Sequence, residues 1–282
     1  MIKIANLNYS YDGYSNVIRN INLTLHEGHI YGLLGANGVG KTTLIKILSG
    51  LLYSSEESCK VDDINPFKRK IELQRDMFLF DEEPISHSFS IVSMAKSLAP
   101  LYPNFDWKDF QNMLKELKVD GNVKLRSLSQ GQRKKAYIAF GLAANTRYLF
   151  MDEPTNGLDI TSKETFRKLV VAHALPERTI IISTHQIDDV ENVLDSIIIM
   201  NINGILLSST IEEVSRKLIF GPIDNPEEAI FVTDTLQGPC GIMKNNADPE
   251  TTVNLKMLFT AFMEKTDEMT ELFSEHDDST NH

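Results

Sequence analysis

Residues 35–43 read GANGVGKTT and fit the pattern G-x-x-x-x-G-K-[ST], and no other stretch of the chain constrains its fold as tightly. In such a loop the glycines let successive backbone N–H groups converge on phosphate oxygens, and the N-terminus of the following helix adds partial positive charge. The lysine supplies a cation and the threonine a Mg2+ ligand. That chemistry requires the loop to join a strand to a helix. Both flanks suit it: Ile30–Leu34 is a short apolar run of the kind that forms a buried parallel strand, and residues 44–48 have the composition of a helix start. The predicted ligand is a nucleoside triphosphate with Mg2+.

The rest of the chain is organised around that unit. Ile2, Ile4 and Leu7 alternate in one run and Ile21, Leu23 and Leu25 in another, with a turn near Asp12-Gly13, which predicts an antiparallel meander. Further buried strands are predicted at Met77–Phe80 and at residues 148–151, 179–183 and 197–200, separated by helical stretches. The fold class expected is therefore α/β, a mostly parallel sheet core with an antiparallel β subdomain. Between Phe89 and Ala143 the pattern is helical: Phe110, Met113, Leu114 and Leu117 fall on one face, Asp106 is placed to cap the start, and Pro100 to Pro103 mark a turn before it. Beyond Leu218, Gly221-Pro222, Asn225-Pro226, Gly238-Pro239 and Asp248-Pro249 are expected to break the chain into short pieces. Leu255, Leu258, Phe259 and Phe262 then outline one more amphipathic helix, and the polar tail from Ser274 reads as disordered. The expected division is a nucleotide-binding domain over residues 1–218, with a helical subdomain at about 83–145, and an accessory extension over 219–282. No internal repeat is seen, so one nucleotide-binding unit per chain is expected.

Residues 148–153, YLFMDE, form an apolar strand ending in two carboxylates, where an open α/β sheet presents side chains to a ligand. Beside a phosphate loop, Asp152 is expected to hold Mg2+ through its shell and Glu153 to polarise the attacking water as general base. Residues 128–132, LSQGQ, precede a helical run, and Ser129 with Gln132 has the S-x-x-Q form of a capping box; a plain helix start is one reading of that segment. Arg133, Lys134 and Lys135 follow it as a basic cluster, while Lys68, Arg69, Lys70 and Arg75 read as a solvated surface. A net charge of −11 argues against backbone-driven nucleic-acid binding, which needs a basic face, so no nucleic-acid partner is expected. The aliphatic stretches are far too short to span a bilayer and no signal peptide is read at the start, MIKIANLNYS. Cys59 and Cys240 have no metal-ligand spacing, which suits a reducing cytoplasm.

Taken together, GANGVGKTT, LSQGQ, YLFMDEP, the NGLD of residues 156–159 and the His185 of ISTHQ occur in the order and approximate spacing of an ABC transporter ATPase subunit. The resemblance covers about residues 1–215, and bacterial ATPases paired with ABC-2 type permeases are the most similar. It implies that Tyr11, or alternatively Tyr14, stacks on adenine, and that residues 37–43, among them Asn37, Gly38, Gly40 and Thr43, wrap the phosphates, with Lys41 on the β and γ groups and Thr42 on Mg2+. It implies that Ser129, Gly131 and Gln132 form the signature that meets the γ-phosphate bound by the other subunit. Asp159 matches the loop linking the two sites, and His185 the residue that holds the γ-phosphate.

Two positions depart from the family pattern. Gln130 stands where glycine is common, but the Ser129 hydroxyl, the Gly131 N–H and the helix N-terminus survive. Glu82, in FLFDEEP, occupies the place of a glutamine; a carboxylate can still face Mg2+ through oxygen, yet it adds negative charge beside a triphosphate. The resemblance implies an ATPase that dimerises around two Mg-ATP, as a homodimer or with a second ATPase subunit. It would drive a separate membrane permease, contacted through the helical segment between Glu82 and Leu117, from the cytoplasmic face of the cell membrane. The competing expectation is a soluble, non-transport ABC ATPase acting in assembly or regulation.

Overall fold

The computed structural model describes residues 1–14, 16–81, 88–223, 225–236, 238–245 and 251–274. It opens with strands β1 (Ile2–Ser10) and β2 (Asn16–Leu25), an antiparallel pair. The two-residue repeat puts Ile2 and Ile4 on one face with Leu23 and Leu25, a register shift between Ile4 and Leu7 brings Leu7 opposite Ile21, and all six are buried. Strand β3 (Ile30–Leu34) runs into the phosphate loop and helix α1 (Lys41–Leu48), after which β4 (Cys59–Val61) pairs with β1 to complete a three-stranded antiparallel sheet. Burial pushes the Cys59 thiol up to about 12.

A short helix α2 (Ile71–Arg75) leads to β5 (Met77–Phe80). Three helices follow: α3 (Ile91–Leu98), α4 (Trp107–Glu116) and α5 (Gln130–Ala143). The side chain of Asp106 caps α4 by accepting from the Asp109 N–H at 2.9 Å, and Phe110, Met113 and Leu114 are the face it buries. Next come β6 (Tyr148–Asp152), α6 (Ile160–Ala172), β7 (Thr179–Thr184), β8 (Ser196–Asn201) and β9 (Gly204–Thr210). The central sheet has the order β5-β6-β7-β3-β8-β9, parallel except for β9, which returns from β8 as a hairpin. The α/β class with a mostly parallel core is thus borne out.

Alternation along the central strands sorts their side chains into two cores. Ile30, Leu34, Leu149, Met151, Ile180 and Ile182 face the helices α3 to α6, while Tyr31, Leu33, Tyr148, Phe150 and Ile181 face α1 and the antiparallel sheet. Strands buried on both faces read as continuous apolar runs, which is why they stand out in the sequence.

The region after α7 (Ile211–Lys217) differs from expectation. Instead of short broken pieces it forms a second antiparallel sheet, β10 (Leu218–Pro222), β11 (Phe231–Thr235) and β12 (Gly238–Lys244), in the order β10-β12-β11. Pro222 ends an edge strand and Pro239 lies at the second position of β12, places where a missing N–H costs a ladder little. The helices α8 (Leu255–Glu264) and α9 (Thr266–Ser274) close the molecule, burying Leu255, Leu258, Ala261, Phe262 and Met269 in the same core as β7 and β8. Of the tail read from Ser274, Ser274 itself ends α9 and residues 275–282 lie outside the described residues. Among the described residues no helix is long and apolar enough to cross a membrane.

Candidate functional site

The phosphate loop sits at the carboxyl edge of β3. Gly40, at φ +107°, and Gly38, at φ +81°, adopt left-handed backbone that favours glycine. Gly40 is the N-cap of α1, so the first amides of that helix point to the loop without intrahelical acceptors. Asn37, Gly38, Gly40, Lys41, Thr42 and Thr43, with Val17 and Glu153, line an open cavity of about 380 Å³. Backbone donors around such a concavity form an anion site. Lys41 is buried; its Nζ donates to the carbonyls of Gly35 and Ala36, at 2.8 and 3.1 Å, and lies 3.8 Å from Glu153 Oε1.

Strand order brings the remaining chemistry to this loop. Because β7 lies between β3 and β6, the residues at its end meet those at the end of β6. Thr42 Oγ1 donates to Asp152 Oδ2 at 2.7 Å, and Ser183 Oγ donates to the other oxygen of Asp152. The N–H of Glu153 donates to the carbonyl and the hydroxyl of Ser183, at 3.1 and 3.2 Å. Glu153 itself stands at φ +44°, a left-handed conformation that a residue with a Cβ holds only where its surroundings over-determine it. His185 Nδ1 is 2.8 Å from Glu153 Oε1, and Gln186 Nε2 is 3.4 Å from His185 Nε2. A carboxylate oxygen can only accept, so the contact to Glu153 is a bond donated by Nδ1–H. In this arrangement the imidazole orients Glu153.

The other predicted residues fall in three places. Tyr11 is exposed, but its hydroxyl is 3.1 Å from Thr43 Oγ1, which ties its ring to the rim of the loop; Tyr14 is 95% exposed. Ser129, Gly131, Gln132 and Asp159 line none of the cavity. Ser129 and Gln132 form a reciprocal capping box at the start of α5, at 3.2 and 3.1 Å, and Asp159 caps α6 by accepting from the Ser162 N–H at 2.8 Å and Oγ at 2.9 Å. Those bonds from Ser162 hold the Asp159 carboxyl below the usual carboxylate range. Glu82 lies outside the described residues.

Two contacts at the site have no place in the sequence reading. Ser183 fixes both Asp152 and the Glu153 peptide, and the hydroxyl pair that ends the apolar run of β7 is the one signal that marks it. Lys134, only 1% exposed, donates to the carbonyls of Glu153 at 3.2 Å and Asn156 at 2.9 Å. It lies in the basic cluster that follows LSQGQ, and nothing local signals its burial.

Comparison with known proteins agrees with this geometry. The family model described as ABC transporter matches residues 18–156. The lantibiotic transport ATP-binding protein SrtF of Streptococcus pyogenes is 30% identical over 200 residues, covering 70% of this chain and 85% of its own. The solved structure of cbiO1 from Clostridium perfringens, described as part of the ABC transporter complex cbiONQ, is 28% identical with a TM-score of 0.60, covering 76% of this chain and 89% of that one. The dimeric structure of MJ0796, a bacterial ABC transporter cassette, is 23% identical and shares the fold at a TM-score of 0.64, covering 74% and 98%.

Proposed function

Since the chain belongs to the ABC transporter family, as one of its ATP-binding ATPase subunits, we propose that it drives a separate membrane permease of the ABC-2 export type by closing around two Mg-ATP and opening on hydrolysis. The observation that carries this reading is the convergence of Thr42, Asp152, Glu153 and His185, from three separate segments, within hydrogen-bond reach beside one phosphate loop.

The residues fit a Mg2+ ion: the Thr42 hydroxyl and the Asp152 carboxylate are hard oxygen donors 2.7 Å apart, the donor type this cation takes alongside phosphate oxygens. Thr42 would bind it directly and Asp152 through its shell; when bound, the ion offsets charge on the phosphate oxygens. The chain's own residues do the rest. The loop amides and the start of α1 hold the phosphates, and Lys41 turns from its loop carbonyls to them. Glu153 takes the proton of the attacking water, and the Nδ1–H of His185 fixes the carboxylate that takes it. Tyr11 offers its exposed ring to the base of the nucleotide.

Ser129, Gly131 and Asp159 line none of their own chain's cavity, which supports a composite site completed by a second subunit, identical or related. The dimeric cassette of shared fold supports the same arrangement. The solved relative that is part of a transporter complex supports a membrane partner, and the helical segment that ends at Leu117 is the proposed contact. On this reading the chain works at the cytoplasmic face of the cell membrane.

Glu153→Gln tests the reading. The variant should bind ATP as the parent does, lose turnover by about 100-fold or more, as loss of a general base predicts, and accumulate as an ATP-dependent dimer on size exclusion. Hydrolysis at the parent rate would remove Glu153 from the mechanism.

A further inference from the structure

We propose that Lys134 is a positioning residue for hydrolysis, holding the peptide of Glu153 in place and tying it to the signature-bearing end of α5. The inference rests on Glu153 acting as the base. Its ground is the pair of bonds from Lys134 Nζ to the carbonyls of Glu153 and Asn156, the two ends of the turn that follows β6. The Asn156 N–H donates to the Glu153 carbonyl at 3.3 Å, so Lys134 grips both ends of one closed turn.

Two features make this grip more than filler. An ammonium that is 1% exposed is costly to bury unless its hydrogens are satisfied, and a methionine would fill the same volume without that cost. The peptide it holds belongs to a residue at φ +44°, a conformation that relaxes unless something over-determines it. The Ser183 contacts fix the Glu153 N–H from one side, and Lys134 fixes its carbonyl from the other.

The same helix also meets this turn at its start. A Cβ added at Gly131 would lie 3.2 Å from the Gly157 carbonyl, so the first turn of α5 packs on the segment that Lys134 grips. Ser129, one turn before Lys134, caps this helix. The start of α5, proposed to meet a second subunit's nucleotide, and the base of the chain's own site are therefore joined through one helix and one buried side chain.

The test compares Lys134→Met and Lys134→Gln with the parent in steady-state Mg-ATP hydrolysis. It uses the purified chain, or the chain reconstituted with its transmembrane partner where activity requires one. Lys134→Met should lower kcat by about 10- to 100-fold, the scale of a small misplacement of a catalytic group. KM for ATP should stay within about twofold, as expected when only a transition-state contact is lost. Its Tm should move by only a few degrees, because the cost of burying a charge is removed while two carbonyls lose a donor. Lys134→Gln keeps an amide donor and should fall between the two in kcat. A Met variant within about twofold of the parent kcat, or one whose loss appears in KM, overturns the proposal. Should Lys134→Met fail to fold, the Gln variant decides alone: a lower kcat at unchanged KM supports the role, and parent kcat or a raised KM overturns it. Glu153→Gln is measured alongside; if it turns over at the parent rate the base assignment has failed, whereas an inactive Glu153→Gln with a fully active Lys134→Met refutes Lys134 alone.

Discussion

Asp62 joins three parts of the molecule at the end of β6 opposite the catalytic edge. Its carboxylate accepts from the amino group of Met1 at 2.8 Å, from the Tyr148 hydroxyl at 2.7 Å and from Arg147 Nη1 at 2.8 Å. Partial burial pulls its pKa up, but the amino group, the phenol and the guanidinium pull it further down, and the net direction is below the usual carboxylate value. Because the folded pKa is depressed, the charge contributes stability that is present above the unfolded pKa and lost as pH falls through the folded one. Asp62→Asn should therefore destabilise the chain by about 1 kcal/mol at neutral pH, a figure kept small because the pair is near a third exposed and screened. The gap between parent and variant should close as the solution is acidified below the ordinary carboxylate range. Urea titrations at neutral and acid pH measure it, and an unchanged gap at acid pH would show that packing, not charge, is lost. Arg178 is the opposite case: wholly buried, lowered to about 10 by that burial, it donates at 3.3 to 3.4 Å to the carbonyls of Gly141 and Leu142 at the end of α5 and of His173 just beyond α6. There it meets the negative ends of two helix dipoles.

Helix α5 shows how one element serves packing and function at once. The two readings of LSQGQ, a capping box or a signature, are not alternatives, since the box is formed and its Ser129 is exposed at the same time. The roles separate by substitution. Ser129→Ala removes the acceptor for the Gln132 N–H and should cost about 1 kcal/mol of stability. Ser129→Asp keeps a good N-cap, so its Tm should stay near the parent's, yet it sets a carboxylate where a triphosphate is proposed to dock and should abolish the ATP-dependent dimer. Light scattering with and without ATP reads the second effect; an Asp variant that still dimerises would leave the helix start with a structural role only. The accessory strands teach the converse about punctuation. Gly-Pro pairs at 221–222 and 238–239 read as breaks, but a proline disrupts only a strand whose N–H is needed, and ladder position is a property of the sheet. The hairpin of β8 and β9 turns at Ile202-Asn203, with Gly204 pairing Asn201 at φ +135°, a backbone that favours glycine.

For the whole molecule, the accessory region is part of the fold and not an appendage. Helix α8 packs by the turn that follows His185, where Ile187 is buried, and Lys256 lies 3.6 Å from Asp188. A chain ending at Leu218 keeps every nucleotide-binding motif but uncovers the face closed by Leu255, Leu258, Phe262 and Met269. It should bind a hydrophobic dye and aggregate where the full chain does not; a truncated chain that stays monodisperse and hydrolyses ATP normally would assign the extension a separate role. What the sequence by itself determined is whatever depends on neighbours along the chain: the strand, glycines and helix start of the phosphate loop, the paired carboxylates ending β6, and the caps at Asp106 and Ser129. Only the tertiary structure decided that β7 lies between β3 and β6, that Ser183 and His185 meet Asp152 and Glu153, and that Lys134 lies beneath the Glu153 peptide. The bond from Thr42 to Asp152 spans 110 positions and that from His185 to Glu153 spans 32. Contacts of that range are set by which apolar faces bury together and in what strand order, and no local pattern carries that information.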